Sequence, residues 1–245
     1  MNPKSHTLFH FTKSSETLKL VLKNGFWPRY CLEDVSWLGL KKYDFIAYPM
    51  VCFCDIPLSR VDEHVKFYGE FGLGLTNEWA LSNGLNPVHY VSQNNRIPSV
   101  YKELTRIVGL GEEDSSEKGR ELIRHLLAHT KPVEGNMVVA SELLEKEFHQ
   151  ESEWRYIANH KDVLDHLSRS SFESEDKLEE NNNKTKQNCM LKFSPNDVKY
   201  IFVKKDSDIP DIINFIQAEL DDFPSSEVKV LLSRVTSLES IRRDM

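Results

Sequence analysis

Four cysteines in 245 residues are too few and too unevenly placed for a disulfide framework. Cys31, Cys52, Cys54 and Cys189 therefore read as reduced thiols, which points to the cytoplasm. No apolar run approaches the ~20 residues that a membrane-spanning helix requires. The opening Met1-Asn2-Pro3-Lys4-Ser5-His6 has no apolar stretch of the kind that marks a secretory signal. A basic excess is lacking too. Lys and Arg total 31 against 38 Asp and Glu, a net charge of −7. That balance, with no dense basic stripe, argues against a broad electrostatic grip on nucleic acid.

Several motifs are also absent. No G-x-G-x-x-G follows a strand, and there is no Walker loop. Phe71-Gly72-Leu73-Gly74 has two glycines at the wrong spacing and no third, so a Rossmann reading fails. His125 and His129 stand four apart on a predicted helix, as do the zinc ligands of zincin proteases. Leu126, however, occupies the position of the required glutamate. Neither the zinc-deaminase signature nor a G-x-S-x-G elbow is present. Cys52 and Cys54 share one side of a strand, but tetrahedral zinc needs four ligands, and Cys31 and Cys189 have no paired neighbour. No metal site is predicted.

What remains is an ordinary globular composition, long enough to bury a core. Thr7–Phe11 alternates and reads as a strand, with Leu8 and His10 on one face and Phe9 and Phe11 on the other. Ser14 or Ser15 can cap a following helix that Gly25 ends. Residues 26–48 read as a long loop. Further strands are predicted at Met50–Cys54, Phe71–Leu75, Pro87–Val91, Glu153–Ile157, Met190–Phe193, Lys199–Val203 and Val228–Leu232. Helices are predicted at 98–110, at 116–129 (buried face Leu122, Ile123, Leu126 and Leu127) and from about Pro210 to Leu220. Residues 169–188 carry almost nothing apolar and read as a mobile surface loop. Short strands with uneven helices between them predict an α+β fold of mixed and antiparallel sheets with flanking helices. The expected organisation is one domain over 1–245, with a helical insertion at about 98–130 and the loop at about 169–188.

Gln150–Tyr156 is the stretch richest in chemistry. As a strand it would place Glu151, Glu153 and Arg155 on one face, with Trp154 and Tyr156 on the other. Such a face lines a polar cleft, where two carboxylates can orient a sugar hydroxyl and a nucleophile. Alternatively, it is a solvated edge whose Arg155 pairs with a glutamate for little net energy. His10, alone in an apolar strand, is either a satisfied structural residue or a ligand contact.

Several phrases occur in an order that resembles the AbiGi-type abortive-infection family of phage-resistance proteins, whose members are described as antitoxins. They are Leu8-Phe9-His10-Phe11-Thr12, Cys52-Phe53-Cys54-Asp55-Ile56-Pro57-Leu58-Ser59, Tyr68-Gly69-x-Phe71-Gly72-Leu73-Gly74-Leu75, Trp79-Ala80, Asn86-Pro87-Val88-x-Tyr90, Glu151-x-Glu153-Trp154-Arg155-Tyr156 and Val198-Lys199-Tyr200-Ile201. The likeness runs from about residue 6 to 240. It implies a bacterial phage-defence role and a protein partner from the same defence system.

A more distant likeness, strand histidine, aromatic near a second strand, then a strand bearing E-x-E, resembles the ADP-ribosyltransferase fold. That resemblance implies NAD as substrate and a macromolecular acceptor of ADP-ribose. His10 would touch a ribose hydroxyl, with Thr12 beside it where a small glycine is often found. Tyr68 would stack on nicotinamide, Tyr48 and Tyr90 being alternatives. Glu153 would hold the other ribose as the glycosidic bond breaks, and Glu151 would face the acceptor. A nearby carboxylate stabilises the positive charge that develops as nicotinamide leaves. The alternative is a non-catalytic antitoxin or sensor module that binds a partner protein.

Overall fold

The computed structural model describes residues 6–39, 44–109, 113–139 and 142–244. In chain order its elements begin with Thr7–Thr12 (β1), Ser15–Asn24 (α1), Arg29–Asp34 (β2), Phe45–Cys54 (β3), Val61–Tyr68 (α2), Phe71–Thr76 (β4) and Asn77–Ser82 (α3). Asn86–Pro87 (β5), His89–Val91 (β6), Ile97–Gly109 (α4), Glu113–Ala128 (α5), Thr130–Pro132 (β7), Glu134–Val139 (β8) and Glu142–Glu147 (β9) follow. The chain continues with Glu153–Ile157 (β10), Leu167–Ser168 (β11), Arg169–Phe172 (α6), Glu175–Asn188 (α7) and Val198–Val203 (β12). Ile209–Glu219 (α8), Ser225–Leu232 (α9), Val235–Ser237 (β13) and Leu238–Asp244 (α10) complete it.

The chain divides into two compact units. One comprises the stretch up to Trp27, Cys52–Leu85 and the part from Met190 onward; the other comprises Pro28–Val51 and Asn86–Cys189. The architecture is α+β, with antiparallel pairings dominant and helices flanking the strands, as predicted. No helix among the described residues is long and apolar enough to cross a membrane.

In the first unit the strand order is β13-β12-β4-β1, followed by the Cys52–Cys54 end of β3. β1 lies antiparallel to β4, with Phe9 opposite Gly74 and Phe11 opposite Gly72. The glycines of β4 accommodate these two aromatic rings rather than a ligand. A Cβ at Gly72 would come within 2.6 Å of the His10 carbonyl oxygen and 2.7 Å of the Phe11 ring. Phe9, Phe11, Ile56, Val61, Val65 and Phe202 form the core on that side. Ser14 caps α1 by accepting from the Thr17 amide, and Leu18 and Leu22 face inward.

In the second unit β2 pairs antiparallel with β3, from Arg29 opposite Met50 to Asp34 opposite Phe45. β10 lies between β3 and β5. β6 and β7 form a parallel pair, and β8 and β9 an antiparallel one. Two helices, α4 and α5, occupy the stretch predicted to be helical at 98–130.

Four sequence expectations need correction. Residues 26–48 are not a loop, because β2 and the start of β3 lie there; the charges in β2 disguised it, yet Glu33 and Asp34 are buried. Residues 169–188 are α6 and α7 rather than a loop. α7 docks through polar groups: the Tyr30 amide donates to Asn182 Oδ1 at 3.0 Å, and Thr185 Oγ1 donates to the Pro28 carbonyl at 2.5 Å. Val228–Leu232 belongs to helix α9, short apolar runs being ambiguous between the two structures. Met190–Phe193 forms only a single bridge, Leu191 to Phe26.

Candidate functional site

The second unit contains a buried ion network centred on Arg155. The strand alternation of β10 turns Glu153 and Arg155 to the same side, and both are buried, Arg155 completely. Arg155 Nε donates to Glu153 Oε1 at 2.7 Å, and Nη2 reaches Glu33 Oε2 at 2.7 Å and Glu153 Oε2 at 3.2 Å. Its Nη1 donates to the Ala128 carbonyl at 2.6 Å. Lys131, on β7, donates to Glu153 Oε2 at 2.9 Å and lies 3.7 Å from Glu151. The Lys131 ammonium also sits 4.3 Å from the Phe148 ring centroid, a cation–π contact. Lys146 closes the chain of contacts at 2.5 Å from Glu151.

Three carboxylates (Glu33, Glu151, Glu153) thus meet three cations (Lys131, Lys146, Arg155), so the cluster is neutral overall. Neutrality is what makes such burial tolerable, since an unpaired buried charge is costly. Burial works against the Lys131 ammonium, but Glu153, then Glu33 and Glu151, hold its pKa well above the ordinary lysine range. Burial, with Glu33 next in effect, pushes the Cys31 thiol up to about 12, which disfavours the thiolate there. Burial also raises the Tyr90 phenol. Its hydroxyl accepts from the Glu153 amide at 2.8 Å.

Glu151 and Glu153 do not form a continuous E-x-E strand. Glu151 lies in a 3₁₀ turn, and Ser152 between them takes the left-handed conformation at φ 44°, an unusual one for serine. Arg155 is not a solvated edge residue either, and both oxygens of Glu153 already have cationic partners. A carboxylate so neutralised has little charge left for an oxocarbenium-like ribose.

The other predicted residues belong to the first unit. His10 Nδ1 lies 2.8 Å from the Cys52 carbonyl, and its ring meets Phe26 edge-on at 5.0 Å. Burial lowers its pKa, the Cys52 contact partly opposing the effect. Thr12, half-buried at the end of β1, shares the His10 face by strand alternation. Tyr68 stacks on His64 at 4.5 Å and packs with Phe9 and Phe11, on the opposite face of β1. The predicted pairing of His10 with Tyr68 in one pocket therefore fails. Of the alternative tyrosines, Tyr90 touches Glu153, while Tyr48 is a buried member of β3. Among the described residues no three His, Cys, Asp or Glu side chains cluster as metal ligands.

Sequence reasoning missed Lys131, Lys146 and Glu33. The available signal was the charge pattern of Glu151-x-Glu153-x-Arg155 itself, two acids and one base, which demands further cations if buried.

Residues 24–204 match the family model described as "Putative abortive phage resistance protein AbiGi, antitoxin". The chain is also similar to the abortive phage resistance protein AbiGi of Lactococcus lactis subsp. cremoris, at 30% identity over 252 residues, covering 90% of this chain and 99% of that protein. No solved structure matches.

Proposed function

Because the chain belongs to the AbiGi family of abortive phage resistance proteins, we propose that it acts as the antitoxin of a phage-defence pair, by binding a toxin protein rather than by catalysis. One observation carries this reading: Glu153, the residue a transferase would need most, is locked between Arg155 and Lys131. A structural ion network explains the carboxylates without any substrate.

The surface supports the reading as well. Helix α4 buries none of its side chains fully and leaves Val100, Leu104 and Ile107 exposed in a stripe at helical spacing. On α5, Ile123 and Leu127 turn inward, whereas Leu122 and Leu126 stay exposed, although all four were predicted to be buried. Five of the eleven large apolar side chains exposed among the described residues thus belong to these two helices. Apolar stripes of this kind suit helix-in-groove recognition by a protein partner.

The test is co-expression with the products of neighbouring genes, to find the toxin, coupled to an NAD assay on the purified chain. The antitoxin reading expects a stable complex, rescue of growth and no nicotinamide release. Release of nicotinamide that disappears on Glu153→Gln in a folded variant would overturn it and restore the ADP-ribosyltransferase reading.

A further inference from the structure

In the first unit, one end of the sheet opens into a cleft of about 500 Å³. That volume lies within the usual range of small-molecule sites. Three structural devices converge there. Thr7 opens β1 directly opposite Thr76, which closes β4, and both residues line the cleft. β12 then passes β4 with an irregular register, Val198 opposite Leu75 but Tyr200 opposite Gly74. The extra residue of this bulge is Lys199, which lines the cleft. Bulges commonly re-aim a side chain in this way beside functional sites. Arg234 is held next to β12 because its carbonyl accepts from the Ile201 amide. Its side chain lines the same cleft, and its Nε is buried with no hydrogen-bond partner among the described residues. A buried guanidinium N–H without an acceptor is a standing cost, and few native ones lack an explanation.

The charges narrow the ligand. Lys199 and Arg234 provide two permanent cations, and His6 lines the cleft with them. A guanidinium beside an ammonium suits a phosphoryl group, the fork supplying geometry and the ammonium charge. Glu78 also lines the cleft. A carboxylate repels a bare phosphate but accepts from hydroxyl groups. The occupant must therefore carry both an anionic group and hydroxyl donors.

We propose that this cleft binds a small phosphate ester bearing hydroxyl groups, with its phosphate on Lys199 and Arg234 and its hydroxyls toward Glu78. Ribose phosphate is the simplest chemistry of this kind, and it occurs free or within a nucleotide.

Calorimetric titration of the full chain with ribose 5-phosphate, with ADP and with inorganic pyrophosphate tests the assignment. Saturable binding of ribose 5-phosphate or ADP is expected, and the stronger of the two identifies the source. Lys199→Ala should weaken that binding at least tenfold. Glu78→Gln should weaken it too, while strengthening pyrophosphate, since only the hydroxyl-bearing ligand uses the acid. Arg234→Gln should behave like Lys199→Ala; if that variant does not fold, the half-exposed Lys199 and exposed Glu78 positions still decide the outcome. Absence of saturable binding by either ribose ligand overturns the proposal. So does unchanged affinity in Lys199→Ala, or a Glu78→Gln variant in which all three ligands respond in the same direction.

Discussion

Arg155 is fully enclosed, and its guanidinium nitrogens meet Glu153, Glu33 and the Ala128 carbonyl. Replacing it by methionine keeps much of the volume but leaves two buried carboxylates short of a counter-charge. The expected loss in stability is about 3–5 kcal/mol, the usual cost of breaking a buried pair from one side. Urea denaturation of Arg155→Met measures it, and a loss below about 1 kcal/mol, the scale of exposed pairs, would mean that water reaches the network. The double replacement of Arg155 and Glu33 by apolar residues should recover much of that loss, because Glu151 and Glu153 then stay balanced by Lys131 and Lys146.

His10 gives a second prediction at the same scale. Its pKa is lowered in the folded chain, so the unfolded chain takes up the proton first. Stability contributed by neutral His10 is present above about pH 6.5, the unperturbed value, and is lost as pH falls through the folded pKa. Thermal melts between pH 7 and 5 should show this decline, and His10→Gln should flatten it. An equal slope in both proteins would assign the acid sensitivity to other groups. The alternation that set Leu8 and His10 against Phe9 and Phe11 was readable in the residues themselves. What His10 faces was not, since Phe26, Phe53 and the Cys52 carbonyl come from distant parts of the chain.

Among the elements, α7 departs most from its sequence pattern. Its buried positions are Asn181, Asn182 and Thr185, and it docks by hydrogen bonds to two backbone groups, the Tyr30 amide and the Pro28 carbonyl. Asn182→Ala and Thr185→Val should each cost about 1–3 kcal/mol, the penalty for leaving a buried backbone group unpaired. Hydrogen exchange at the Tyr30 amide reads the first directly, and protection unchanged by Asn182→Ala would show that this contact is dispensable. A reading based on apolar periodicity cannot find such a helix, because its contacts are polar and become specific only against β2. α8 shows the contrary case: Ile212 and Ile216, one turn apart, are buried, and the helix runs close to the predicted span of about Pro210 to Leu220.

At the scale of the whole molecule, the unburied apolar stripes on α4 and α5 are the feature that calls for a partner. Leu104→Glu combined with Ile107→Glu removes apolar surface without disturbing a core, so stability should change by less than about 0.5 kcal/mol. Toxin neutralisation in co-expressing cells should be lost. A variant that still protects cells would move the partner interface elsewhere on the molecule.

The amino-acid sequence by itself determined the α+β class, most strand and helix positions and the family, because these depend on local periodicity, caps and the order of short phrases. It also contained the paired acids and the arginine that mark the most densely charged interior. Only the tertiary structure decided what those charges do. Whether a glutamate is a free acid or half of an ion pair depends on cations brought from Lys131 and Lys146, and no local pattern encodes that approach. Tyr68 and His10 likewise lie on opposite faces of one strand because α2 packs against Phe9 and Phe11, a contact set by apolar burial rather than by either residue's chemistry.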